Sequence, residues 1–160
     1  MEAFLMEKAS VKALIGPVDL NDGANTGLRV DMSKARRVTF ICILAAGTTP
    51  NAHLFTLYQH TVTTAGTPLV LAVDNPYYHK LDTATEFTKV VPGAAASAYN
   101  LDSIFADAKG IVVFEVLAEQ LTDGYKWVSI DIADTGGAQL GTVLAIAHDV
   151  KDAPAYGTAI

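Results

Sequence analysis

Four histidines, one cysteine and a scatter of carboxylates are the side chains in this sequence that could hold a metal or move a proton. His53, His60, His79 and His148 never fall at i, i+2 or i, i+4 to one another, and His53 and His60 belong to opposite faces of one extended run. A zinc centre needs three or four converging ligands, which this spacing does not supply. Asp19-Leu-Asn-Asp-Gly23 opens like a calcium loop but lacks the third oxygen position and the distal glutamate, so it reads as a turn. Cys42 shares a face with Val38, Phe40 and Leu44 and reads as an inert buried thiol; a single cysteine closes no internal disulfide. The sequence carries neither a Gly-x-x-x-x-Gly-Lys phosphate cradle nor a Gly-x-Ser-x-Gly nucleophile elbow. No residue is therefore assigned as catalytic, cofactor-binding or metal-ligating.

One motif does carry a catalytic pattern. Ser129-Ile-Asp-Ile-Ala-Asp-Thr-Gly136 resembles the strand and Asp-Thr-Gly loop of the retroviral-type aspartic proteases, in which two such aspartates share a proton across a dimer. The resemblance implies Asp134 as acid and base, with Thr135 and Gly136 orienting it. It covers about eight residues and lies near the C-terminal end, with too little chain after it for the flap and later strand of those enzymes. Asp-Thr-Gly-Gly is also an ordinary turn sequence.

Composition bounds what can position these groups. The chain has 160 residues, 51% of them hydrophobic and 18% charged, enough for one domain with a core of its own. A net charge of −6, with 11 lysines and arginines, argues against a nucleic-acid partner, which needs a basic face. Lys34 with Arg36-Arg37 is the basic cluster, read as solvated. No apolar run approaches the roughly 20 residues of a membrane span, and Glu2 and Glu7 stand where a secretory signal is positive. No membrane association is expected.

The elements read as strands. Ile111 to Ala118, Tyr125 to Ile132 and Leu140 to His148 are alternating runs rich in β-branched and aromatic residues, separated by Asp123-Gly124 and Asp134-Thr-Gly-Gly137, and are read as a meander. Further strands are expected over Lys8 to Ile15, stopping at Gly16-Pro17, and over Leu28 to Met32 and Arg37 to Ala46. In His53 to Thr63, Leu54, Thr56, Tyr58, His60 and Val62 share one face, and Phe55 and Leu57 point the other way. Thr67 to Val73 is a shorter strand whose proline marks a start or an edge. Residues 74–110 read as one or two short strands with a mobile Ala-rich loop, and Ala118-Glu-Gln-Leu121 as one helical turn. The expected fold is all-β, an antiparallel β-sandwich or flattened barrel over residues 8–150. Residues 1–7 form an N-terminal arm and 151–160 a C-terminal tail. The expected core includes Val38, Phe40, Leu44, Val113, Val128, Ile130, Leu144 and Ile146, with the Val38 to Leu44 strand covered on both faces.

The order of these pieces resembles a larger family. A polar loop leads to a short strand, a connector, Val38-Thr-Phe40, a turn and a long Thr-rich strand. The chain then closes with Leu121-Thr-Asp-Gly-Tyr-Lys-Trp-Val-Ser-Ile130, a Gly-rich turn and Leu140-Gly-Thr-Val-Leu-Ala-Ile146. This order resembles the small virion structural proteins of tailed bacteriophages that decorate or cement the capsid. The departure lies in 74–110, where the loops are longer. The resemblance implies a non-enzymatic protein made in the host cytoplasm and placed on the capsid exterior. It implies the major capsid protein as partner and a closed homotrimer as the assembly. The competing reading is a carbohydrate- or receptor-binding sandwich on the virion or tail, for which Tyr77, Tyr78 and Tyr99 are the candidate aromatic contacts.

Contact residues for a lattice are expected in the two ends and the 92–99 loop. Phe4, Leu5, Met6, Tyr156 and Ile160 gain about 1.5–3 kcal/mol each when fully buried, yet neither end has a periodic face to dock it on its own domain. Deleting residues 1–6 and 152–160 is expected to leave the domain folded and to lower its occupancy on decorated shells. Unchanged occupancy would rule the arms out.

Overall fold

The computed structural model of the protein describes residues 9–48 and 52–150. Its strands are β1 (Ala9–Asp19), β2 (Val30–Asp31), β3 (Arg37–Gly47), β4 (Leu54–His60), β5 (Leu69–Val70), β6 (Tyr77–Leu81), β7 (Thr88–Val90), β8 (Ala98–Asn100), β9 (Gly110–Leu117), β10 (Trp127–Ile132) and β11 (Gln139–His148). A four-residue helix α1 (Asp102–Phe105) and a 3-10 turn (Ala118–Gln120) complete them. One antiparallel sheet runs β1-β11-β3-β9-β6-β7, and a second runs β2-β10-β4-β5, with β8 also paired to β4. The fold is an all-β sandwich.

The two inner faces close on one core. Val38, Phe40, Cys42 and Leu44 of β3 lie beside Val112, Phe114 and Val116 of β9 and Val143, Ala145 and Ala147 of β11. Against them stand Phe55 and Leu57 of β4 and Val128, Ile130 and Ile132 of β10. The Phe55 and Phe114 rings meet at 5.6 Å between centroids and join the layers. Ala145 on β11 pairs with Phe40 of β3, an alternation of small and large that suits dense packing.

Several expected features differ. The three closing strands are no meander: β9 and β11 flank β3 in one sheet, and β10 belongs to the other. Residues 118–126 and 133–138 carry the chain across the ends of the sandwich, because these turns join layers rather than hairpin partners. Val113, Leu144 and Ile146, expected in the core, lie on the opposite face of their strands and are half-buried. Both faces of β9 and β11 are apolar, so alternation alone does not say which points inward. The other face of β3 is likewise uncovered at Ile43, which is 39% exposed.

β1 does not stop at Gly16-Pro17. It continues to Asp19 through register shifts at Ala13/Ile15 and Ile15/Val18, as an edge strand can when a proline lacks a donor. Residues 74–110 are more ordered than a loop, supplying β6, β7, β8 and α1. The strand expected over Leu28 to Met32 shrinks to Val30–Asp31. The arms, with Phe4, Leu5, Met6, Tyr156 and Ile160, lie outside the described residues.

Gly110 ties the sheet to α1. A Cβ there overlaps the backbone carbonyl of Lys80 and the ring of Phe105, whereas one at Gly16 meets open space. Gly110→Ala is expected to cost about 1–3 kcal/mol in urea unfolding, and Gly16→Ala to change stability by no more than about 0.5 kcal/mol.

Candidate functional site

Cross-strand register fixes what the outer face of the six-stranded sheet presents. One row crosses five strands as Ala13, Leu144, Ile41, Val113 and Tyr78. A second, two residues along the strands, crosses as Thr142, Ile43, Ile111 and Lys80. Val11 and Ile146 pair beside the first row on its other flank. The result is an apolar band on a surface that no described strand packs against. Val11 and Ile43 are each 39% exposed, Ala13 is exposed, and the other apolar residues of the band are half-buried. Two shallow depressions of about 240 and 350 Å³ meet at Ile43, Leu44 and Lys109, one reaching toward Leu81 and the other toward Pro17.

A polar row ends the band. Thr39 Oγ1 donates to Glu115 Oε1 at 3.0 Å and lies 2.9 Å from His148 Nε2, which donates to it when the hydroxyl proton is on the carboxylate side. Arg37 Nε stands 3.9 Å from the same Glu115 oxygen. Burial lowers the His148 pKa, with Arg37 adding to the fall and Glu115 and Asp149 opposing it. Thr39 is thus held by its neighbours rather than freed as a nucleophile. The network closes off one flank of the apolar band.

Inside the sandwich several polar groups pair with one another, although His53 Nδ1 has no partner among the described residues. Gln139 Nε2 donates to the Ala45 carbonyl at 2.8 Å, so its Oε1 accepts from His53 Nε2 at 2.7 Å. Asp102 caps the backbone N–H of His53. Gln59 donates to Thr122 Oγ1 at 2.9 Å and accepts from the Thr122 backbone N–H at 2.8 Å. Sequence reasoning missed these glutamines, which carry no spacing signal.

His60 and Ser129 form a pair across β4 and β10, Nε2 to Oγ 2.9 Å. A serine nucleophile needs a histidine base oriented by a third group, but His60 Nδ1 has no hydrogen-bond partner among the described residues. The two residues are 4% and 1% exposed, out of a substrate's reach.

The residues singled out by sequence fall elsewhere. Asp134 Oδ1 accepts from the Gly136 N–H at 2.8 Å, and Thr135 donates to the Gly137 carbonyl at 2.8 Å, so the Asp-Thr-Gly motif is a self-bonded turn. Asp19 likewise caps Asn21 and accepts from the Gln139 N–H at 2.9 Å. Cys42 is buried, and burial pushes its thiol pKa far up. Among the described residues no three His, Cys, Asp or Glu side chains gather as metal ligands.

Tyr77, Tyr78 and Tyr99 do not share a surface. Tyr99 is 6% exposed, donates to the Ala96 carbonyl at 2.9 Å and packs its ring on Phe114 at 4.9 Å. Tyr77 packs edge-on against it at 5.4 Å. Tyr99 is therefore a core residue rather than a surface contact, and Tyr78 alone joins the outer band.

No protein-family model matches the sequence, and no curated protein matches it. Among solved structures, the CBM22-1–GH10 modules of a Clostridium thermocellum endo-1,4-beta-D-xylanase, complexed with xylohexaose, align at 10% identity and a TM-score of 0.35. The alignment covers 92% of this chain and 27% of that one. A Podospora anserina GH26-CBM35 beta-(1,4)-mannanase aligns at 10% identity and a TM-score of 0.28, over 91% of this chain and 28% of the other. The chain thus spans under a third of either, and overlap at this level establishes no shared ligand.

The buried histidines make stability depend on pH. Burial, aided by Arg29, lowers the His60 pKa from 6.5 to about 4, and burial also lowers those of His53, His79 and His148. The unfolded chain therefore binds more protons below its own histidine pKa. Stability is full above about pH 6.5 and falls toward pH 4, with His60 contributing up to about 3 kcal/mol of the loss. Urea midpoints should drop between about pH 7.5 and 4.5, and His60→Gln should flatten that drop.

Proposed function

We propose that this protein is a non-enzymatic virion structural protein that binds and stabilises a phage capsid lattice. The supporting observation is the apolar outer face of the six-stranded sheet. A chemical site needs polar groups aimed at open space, whereas the interior polar groups here are aimed at one another and Asp134 closes its own turn. What the sandwich offers outward is a broad apolar band, the sort of patch that marks a protein contact.

Lattice binding suits such a face. Many copies, each held by a modest contact, attach strongly because the contacts multiply. A net charge of −6 keeps the free protein soluble despite its apolar surface. The proposed partner is the major capsid protein, and the proposed free form is a closed homotrimer. A carbohydrate-binding sandwich gains less support, because a sugar platform needs aromatic rings side by side in solvent and Tyr99 is buried under Tyr77.

Particles purified from cells carrying the gene should contain the protein in proportion to the major capsid protein, counted by quantitative mass spectrometry. Ile43→Glu, at a position exposed enough for folding to survive, should cut occupancy on stripped shells by about tenfold or more. Absence from the particles would overturn the proposal.

A further inference from the structure

The outer band has the dimensions of a helix footprint. Its five-strand row is about 19 Å long and the two rows lie about 7 Å apart, from the spacings of strands and of alternate residues. An α-helix is about 10–12 Å across with its side chains, and about 13 residues of it span that length. The Thr39-Glu115-His148 network stops the band on one flank, so the apolar area is a strip rather than a whole sheet face. A second sheet would need the whole face. One helix needs only the strip.

The charges at one end of the strip give the partner's chemistry. Lys80 ends one row, and Lys89, paired opposite Tyr78, ends the other. Neither forms an ion pair among the described residues, whereas Lys109 is held by Asp82 at 2.8 Å and Arg37 approaches Glu115 at 3.9 Å. In a chain of net charge −6 this places two uncompensated cations at the end of an apolar strip. A second copy laid face to face on the strip brings the same two lysines, and the carboxylate bordering its strip, Glu115, already accepts from Thr39.

We infer that the strip binds an amphipathic helix of another protein, with its apolar face on Leu144, Ile41, Val113 and Ile43 and its acidic residues at the end that meets Lys80 and Lys89. The inference rests on reading this face as the docking surface and adds the shape and charge of what docks. Acidic residues at that end of the helix and the lysines fix its direction along the strip, since reversal brings the carboxylates to Ala13 and Val11.

The test uses the full chain and two dye-labelled helical peptides, both with a leucine stripe, one ending in three glutamates and the other in three lysines. Fluorescence anisotropy should give at least about tenfold tighter binding of the glutamate peptide. Lys80→Glu with Lys89→Glu, both at the surface, should reverse the preference, and Ile43→Glu should weaken both peptides. Equal binding, no binding, or an unchanged preference in the double variant overturns the inference. So does a light-scattering mass that falls with Ile43→Glu, which makes the strip a self-contact, or equally strong binding to phosphatidylglycerol vesicles, which makes it a lipid surface. Occupancy on particles without peptide binding removes the helix and leaves the virion role. Peptide binding without occupancy does the reverse.

Discussion

The pairing of β3 with β9 and β11 is the constraint on which the sandwich depends. Register along β3 places Phe40 beside Phe114 and Ala145, and Cys42 beside Val112 and Val143, so one row of large and small side chains meets the second sheet. A shift of one residue in any of the three strands exchanges its two faces. Here both faces are apolar, so the hydrophobic pattern alone resists such a slip weakly. Specific features pin the register instead. Gly110 at the start of β9 admits Phe105, and Gly141 near the start of β11 admits Leu20. The Thr39 contacts to Glu115 and His148 tie the three strands on the outer side.

The same packing explains why buried polar groups do not make an open chemical site. A buried histidine must remain neutral and find a partner: His53 does so through Gln139, and His60, on the face of β4 opposite Phe55 and Leu57, through Ser129. Gln139 in turn reaches Ala45 on β3, so the pair also anchors the start of β11 to its neighbour. The His53–Gln139 contact lies where the chain has passed from β10 in one sheet to β11 in the other, whereas the His60–Ser129 contact lies within one sheet.

Much of this was legible in the sequence, and the failures have two physical origins. Alternation identified β3, β4, β9, β10 and β11 and the inward face of β4, because Phe55 and Leu57 alternate with Thr56 and Tyr58. It correctly put Cys42 with Val38, Phe40 and Leu44. It failed for Leu144 and Ile146 of β11, where the inward positions beside them are Ala145 and Ala147, and for Val113 of β9, where both faces carry large apolar residues. The signal there is size rather than polarity, and it becomes readable only once β3 is known to lie between them. The 74–110 region was illegible for another reason: β7 and β8 are three residues each, too short for any period to register. The band itself is invisible in one dimension, because it is assembled from five strands that lie far apart in the chain.

An apolar sheet face left open has an energetic consequence. Each large side chain on it retains part of the roughly 25 cal/mol per Å² that burial would release. The fold does not need that energy, since β3, β9 and β11 are already closed by hydrogen bonds and by the core on their inner side. The free energy is therefore available to an intermolecular contact without loss of the monomer's own packing. The polar row limits where that contact can form, and the lysines at the far end limit its orientation. A flat partner covering the whole sheet must also desolvate Arg37, Glu115 and His148, a cost that a partner confined to the strip avoids. Under the proposed docking, affinity and selectivity would thus come from adjacent parts of one surface, the apolar strip providing the first and its charged boundaries the second.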